Sequence, residues 1–139
     1  MNKLNNKQLE KYSRQIIIDS IGIKGQKKIL ESKVLIIGCG GLGTSAAQYL
    51  SMSGVGTIGL VDYDKISLSN LNRQTLFREK EIGLKKVAVL QSKIKEINRD
   101  IKVRKFDTEL KLSNIKKIFS EYLYILDCTD NFKTRFLIN

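Results

Sequence analysis

The residues best suited to chemistry lie in four short stretches: Gly38-Cys39-Gly40-Gly41-Leu42-Gly43, Asp62-Tyr63-Asp64, Ser69 to Gln74, and Asp127-Cys128-Thr129-Asp130-Asn131. In the first, Gly38 permits a tight turn, Gly40 and Gly41 let backbone approach a phosphate, and Gly43 lets a helix pack on a strand. A helix starting just after the loop turns its free N–H groups and positive dipole end toward any anion held there. Asp62 ends the next strand, where a carboxylate can accept from ribose hydroxyls. Asn70, Arg73 and Gln74 can reach phosphates, Arg73 through two-point contacts. Lys86 stands early in a helix, where a lysine opposes the macrodipole unless an anion attracts it. A carboxylate at the Asp130-Asn131 position is a natural magnesium ligand. Each stretch also has a plainer reading: a structural glycine turn, a solvated connection, an exposed lysine, a pair of helix-capping acids. Together they describe a nucleotide site without specifying the nucleotide.

The elements that must position these residues follow from hydrophobic spacing. Leu9, Tyr12, Ile16 and Ile17 predict a helix from Leu9 to about Asp19, after a frayed polar start. Gly22 and Gly25 are expected to break the chain before a short helix, 26–30. Val34 to Ile37 reads as a buried strand, Thr57 to Val61 as a second, Ile101 to Phe106 as a third and Tyr122 to Leu126 as a fourth. Between the second and third strands, 65–77 reads as a structured loop with one helical turn, and Val87, Leu90, Ile94 and Ile97 predict a helix over 85–98. Ser113 is expected to cap a helix packing Ile115, Ile118 and Phe119, and a last helix begins near Phe132. Alternating strands and helices predict an α/β fold: a Rossmann-like, doubly wound, mainly parallel sheet with helices on both faces. The predicted organisation is an N-terminal helical segment, 1–32, and a nucleotide-binding domain, 33–139. Such a sheet gathers the loops after Ile37, Val61 and Leu126 at one edge.

Composition narrows the chemistry. The 139 residues include no histidine and two cysteines, which rules out His-based acid–base catalysis and leaves no expected zinc site. Cys39 is read as a small packing residue. The net charge of +11 arises from 25 Lys and Arg against 14 Asp and Glu, spread along the chain. Scattered lysines lack the clustered footprint of a nucleic-acid site, so no nucleic-acid partner is expected. Richness in Lys, Ile and Asn without Pro or Trp fits an AT-rich genome. With no apolar run near ~18 residues and no signal-peptide core, the expectation is a soluble cytoplasmic protein without a membrane partner. A bacterial source is expected, although a plastid one would look the same.

Taken in order, Tyr12-Ser13-Arg14-Gln15, the glycine loop, Asp62-Tyr63-Asp64, Ser69-Asn70-Leu71-Asn72-Arg73-Gln74, Lys86 and Asp127-Cys128-Thr129-Asp130-Asn131 resemble the ThiF, MoeB and HesA group of adenylating enzymes, relatives of the ubiquitin-activating E1 enzymes. The N-terminal part, Tyr12 through Leu30, looks especially like ThiF. The resemblance implies ATP with Mg²⁺ and an adenylyltransferase. It would activate the C-terminal glycine carboxylate of a ubiquitin-like sulfur carrier, ThiS-like or MoaD-like, in thiamine or molybdopterin biosynthesis. By that resemblance Gly41 contacts phosphates, Asp62 the ribose, Asn70, Arg73 and Lys86 the phosphate chain, and Asp130 the metal, beside Asn131. Arg14 reaches into a partner subunit's site, which implies a homodimer. The expected catalytic set is Arg14, Arg73, Lys86 and Asp130. The nucleotide-binding set is Gly38, Gly40, Gly41, Gly43, Asp62, Asp64, Asn70, Arg73, Gln74, Lys86, Asp130 and Asn131. Family members continue past this point with further strands, CxxC motifs and often a catalytic cysteine, to which Cys128 does not correspond. The chain therefore reads as the N-terminal part of such a domain, and its sheet is expected to keep an open edge. Two rivals remain: a non-catalytic nucleotide-binding fragment, and an NAD-dependent oxidoreductase using the same glycine loop.

Overall fold

In the computed structural model, which describes residues 3–139, each strand's composition reflects how many of its faces are covered. Strand β1 (Lys33–Ile37) is apolar at four successive positions because alternate side chains enter different cores. Val34 and Ile36 join Ile58 and Leu60 of β2 (Thr57–Asp62) in one core. That core is closed by Ala47 of α4 (Gly41–Ser53) and by Val87, Leu90 and Ile94 of α5 (Lys86–Ile97). Leu35, Ile37 and Val61 point the other way, onto Ile115, Ile118 and Phe119 of α6 (Leu112–Phe119) and Leu137 and Ile138 of α7 (Phe132–Ile138). Strand β3 (Lys102–Asp107) lies at one edge and keeps only Val103 and Phe106 half-buried. Strand β4 (Tyr124–Asp127) forms the other edge.

All pairings are parallel, in the order β3-β2-β1-β4. The order reverses between β1 and β4, and a crevice opens outside the carboxyl ends of strands at such a switch point. The glycine loop leaves β1 there, and Cys128 to Asn131 leaves β4 beside it. Among the described residues, no helix is long and apolar enough to cross a membrane.

Four local expectations are corrected. The N-terminal helix is two short ones, α1 (Asn6–Lys11), capped by Asn5, and α2 (Ser13–Ile16), hinged at Tyr12. Gly22, at φ +55°, does mark the turn into α3 (Gly22–Glu31), but Gly25 lies inside that helix, which is longer than expected and buries Gln26. Ser113 is not a cap, because α6 begins at Leu112 and its entry is set by Asn114, which accepts the Lys111 N–H at 2.9 Å. The fourth strand starts two residues late, since Tyr122 turns inward and its ring fills the space over Gly59.

The N-terminal helices are fastened by buried polar groups. Asn98 at the end of α5 donates to the Tyr12 hydroxyl at 3.1 Å and to the Ser51 carbonyl at 3.0 Å, and accepts from Lys11 Nζ at 2.6 Å. Gln15 donates to Gln26, which donates to the Ser53 carbonyl. Tyr12 is 1% exposed, so truncation leaves both a cavity and an unpaired amide. Tyr12→Phe is expected to cost about 1 kcal/mol and Tyr12→Ala about 3–5 kcal/mol, measured by urea unfolding.

Candidate nucleotide site

The site starts from a backbone contact. A Cβ on Gly43 would lie 1.9 Å from the Gly38 carbonyl oxygen, and one on Gly38 would lie 2.7 Å from that of Cys128. Gly38 also sits at φ +92°, in the left-handed region. No side chain fits at either position, so α4 can start flush against β1 and point its first N–H groups into the crevice. Gly40 and Gly41 are different: a Cβ on either would meet protein atoms no closer than 3.6 Å. The fold does not require glycine there. Both line the cleft, and the space they leave is open to a ligand.

The cleft has a volume of about 620 Å³ and lies over the carboxyl ends of the strands. It brings together Gly38, Gly40, Gly41, Asp62, Asp64, Asn70, Arg73, Gln74, Lys86, Asp130 and Asn131. Two expected residues stand outside its wall. Gly43 is behind the loop, held there by the contact with Gly38. Arg14 is exposed on α2, between the anchored Tyr12 and Gln15.

Hydrogen bonding assigns these side chains distinct local tasks. Asp62 Oδ2 accepts the Cys39 N–H and Oδ1 accepts the Asp64 N–H, both at 2.7 Å, so its carboxylate ties the glycine loop to the end of β2. Asn70 Oδ1 accepts the Ser67 N–H and closes the helical turn Leu68–Asn70. Arg73 donates to the Ser69 carbonyl and Asn72 Oδ1. Gln74 is buried, its Oε1 has no hydrogen-bond partner among the described residues, and its Nε2 lies 3.7 Å from the point a Cβ on Gly40 would occupy. The Nε2 end of Gln74 is the one beside Gly40 at the cleft wall, where an amide N–H can donate to a polar ligand. Lys86 is buried and reaches Asp64 at 3.0 Å, while Lys85 turns outward to Asp107. Asn131 caps α7 by accepting the Thr134 N–H at 2.9 Å, and Asp127 accepts from Thr129. Asp130 forms no ion pair among the described residues.

Burial pushes the Cys39 thiol well above its ordinary range, and the Asp62 carboxylate pushes it further. The thiol stays protonated and is a packing group. The sequence reading missed the wall built by Thr108, Glu109 and Leu110 after β3, and by Thr134 and Arg135 in the first turn of α7. Glu109 pairs with Lys133 at 3.3 Å, and that hydrogen bond lowers its carboxyl. The signal was available, since the loop after β3 must emerge at the same sheet edge as the others.

Gly43→Ala is expected to destabilise the protein by about 3 kcal/mol, because backbone must move to admit the methyl. Gly40→Ala should change stability by less than about 0.5 kcal/mol yet remove protection by ATP, as read by thermal unfolding with and without nucleotide. The Cys39 thiol titrates near ~8.5 when unfolded and higher when folded. Stability it contributes is therefore complete below that pH and lost as the pH rises. A Cys39→Ala variant should flatten that alkaline loss in urea unfolding between pH 7 and 10.

Comparison with known proteins matches this geometry. The ThiF family model matches residues 12–139. The adenylyltransferase and sulfurtransferase MOCS3 of Aedes aegypti is 43% identical over 139 residues, covering all of this chain and 32% of the relative. The probable adenylyltransferase/sulfurtransferase MoeZ of Mycobacterium tuberculosis is 43% identical over 136 residues, covering 98% of this chain and 35% of the relative. The chain thus spans about a third of the length of these curated relatives. Among solved structures, the Escherichia coli tRNA N6-threonylcarbamoyladenosine dehydratase TcdA in complex with ATP superposes with a TM-score of 0.85 at 26% identity, over 91% of this chain and 52% of that one. Its parallel sheet, its switch-point cleft and these similarities place this chain in the ThiF family.

Proposed function

We propose that this chain carries the ATP site of an adenylyltransferase that activates the C-terminal glycine carboxylate of a ubiquitin-like sulfur carrier. The observation that carries the reading is the convergence of Gly40, Gly41, Arg73, Lys86 and Asp130 on one cleft. At two of these positions the fold itself does not demand a glycine. The adenylyltransferase names of the MOCS3 and MoeZ relatives and the ATP bound by the TcdA neighbour support the same chemistry.

In the proposed reaction a carboxylate oxygen of the carrier attacks the α-phosphorus of ATP. The new O–P bond forms as the bond from the α-phosphorus to the bridging oxygen breaks. The electron pair leaves with pyrophosphate, giving an acyl-adenylate. No covalent group on the protein is needed, and the lack of histidine is no obstacle. The work is positioning and neutralisation of charge. Backbone N–H groups at the start of α4 and the Arg73 guanidinium hold the phosphates, Lys86 offsets charge on them, and Asn70 and Gln74 supply neutral donors. Asp62, though tied to two N–H groups, retains lone pairs for a ribose hydroxyl.

The donor set fits Mg²⁺. Asp130 is an exposed carboxylate without an ion pair, and no group of three or more metal-binding side chains forms among the described residues. Mg²⁺ typically takes one or two protein carboxylates and completes its shell with phosphates and water. When bound, it would neutralise phosphate charge.

Arg14 belongs to this reading through a second copy. Tyr12 and Gln15 are anchored on either side of it, and its side chain is exposed outside its own cleft. A homodimer would bring it to the partner's phosphates. The adenylyltransferase and sulfurtransferase names of the MOCS3 and MoeZ relatives support a sulfur carrier as the substrate, ThiS-like or MoaD-like.

The test is ATP–pyrophosphate exchange with Mg²⁺ and a carrier ending in Gly-Gly. Arg73→Ala and Asp130→Ala are each expected to lower exchange by about 100-fold or more, and undiminished exchange in both would overturn the assignment. ATP binding without exchange would mark a nucleotide-binding part whose carrier-docking surface lies elsewhere. Arg14→Ala and Arg73→Ala proteins, each inactive alone, should recover exchange in part when mixed, because one site of the mixed dimer is intact.

A further inference from the structure

Lys86 is unfavourably placed on two counts. Its side chain is 7% exposed, and burial disfavours an ammonium. It is also the first residue of α5, where the helix dipole repels a cation. Asp64 answers both. Its Oδ2 lies 3.0 Å from Lys86 Nζ, and its backbone carbonyl accepts the Lys86 N–H at 3.1 Å. Asp64 is itself fixed, because its N–H donates to Asp62, whose other oxygen holds the Cys39 N–H of the glycine loop. The Asp64 side chain is half exposed, whereas the lysine is not. Both line the cleft.

We propose that Asp64 is a positioning residue rather than a nucleotide ligand: it is the counter-ion that holds the buried Lys86 ammonium while the cleft is empty and shares it with phosphate when a triphosphate binds. The proposal rests on the nucleotide reading of the cleft and deepens it. A buried cation is costly unless an anion pairs with it, and the nucleotide supplies a second anion. Asp64 thus stabilises the free protein while weakening the lysine's hold on phosphate. After pyrophosphate departs, the carboxylate retakes the ammonium and opposes rebinding of the product.

An ordinary structural contact would strengthen both folding and binding, whereas this one acts on them in opposite directions. Asp64→Asn is close to isosteric and removes only the charge. It should lower the unfolding temperature of the nucleotide-free protein and tighten Mg-ATP by about two- to fivefold, the range of a partly exposed ion pair. Adenosine affinity should not change. Lys86→Met should weaken Mg-ATP, and Asp64→Asn added to it should have no further effect on stability or ATP affinity.

Calorimetric titration of ATP and adenosine into the wild type, both single variants and the double variant, with thermal unfolding of each, decides the matter. If the wild type shows no preference for ATP over adenosine, the nucleotide reading itself fails and this proposal falls with it. If that preference is present, three results overturn the proposal alone. These are a matched loss of ATP and adenosine binding in Asp64→Asn, an unchanged unfolding temperature, and a gain in ATP affinity that persists beside Lys86→Met. The last would mean that Asp64 acts on the phosphates directly.

Discussion

The structure depends on how closely three backbone segments approach one another at the top of the sheet. Gly43 of α4 lies against the carbonyl of Gly38, and Gly38 lies against the carbonyl of Cys128, with no room for a side chain at either contact. These approaches seat the start of α4 on β1 and bring the loop after β4 beside it. Between them lies the switch point of the sheet, where a crevice is unavoidable because consecutive crossovers diverge. The site is therefore a consequence of strand order, and the glycines make its floor backbone rather than side chain.

A second layer of control comes from carboxylates that serve the protein before any ligand. Asp62 fastens the glycine loop to β2, Asp127 fastens the loop after β4, and Asp64 balances the buried Lys86. Among the described residues, Asp130 is left without an ion pair in the midst of these partnered acids. That contrast separates Asp130 from Asp62 and Asp64, with which it shares the cleft.

Much of this was legible in the residues. The apolar run Val34 to Ile37, the glycine spacing and the periodicity of α5 each have one dominant physical cause, and each produced the expected element. Failures occurred where a tertiary partner overrode a local preference. Tyr12 splits the first helix because its hydroxyl is held by Asn98, far along the chain. Asn114, not Ser113, sets the start of α6, since its side chain satisfies the Lys111 N–H. The wall formed by Thr108, Glu109 and Leu110 went unread because those residues match no motif; only the position of β3 at the sheet edge places them at the cleft.

The sequence by itself determined the order of strands and helices, the nature of the glycine loop and the chemical types available to a site without histidine. These are local properties, set by side-chain volume, backbone freedom and hydrophobic period over a few residues. The tertiary structure alone decided that β4 pairs with β1, bringing Asp130 to a loop some ninety residues earlier. It also decided that Asp62 and Asp64 are already committed to hydrogen bonds and an ion pair. Such facts depend on which distant groups come within about 3 Å. No spacing along the chain encodes that distance.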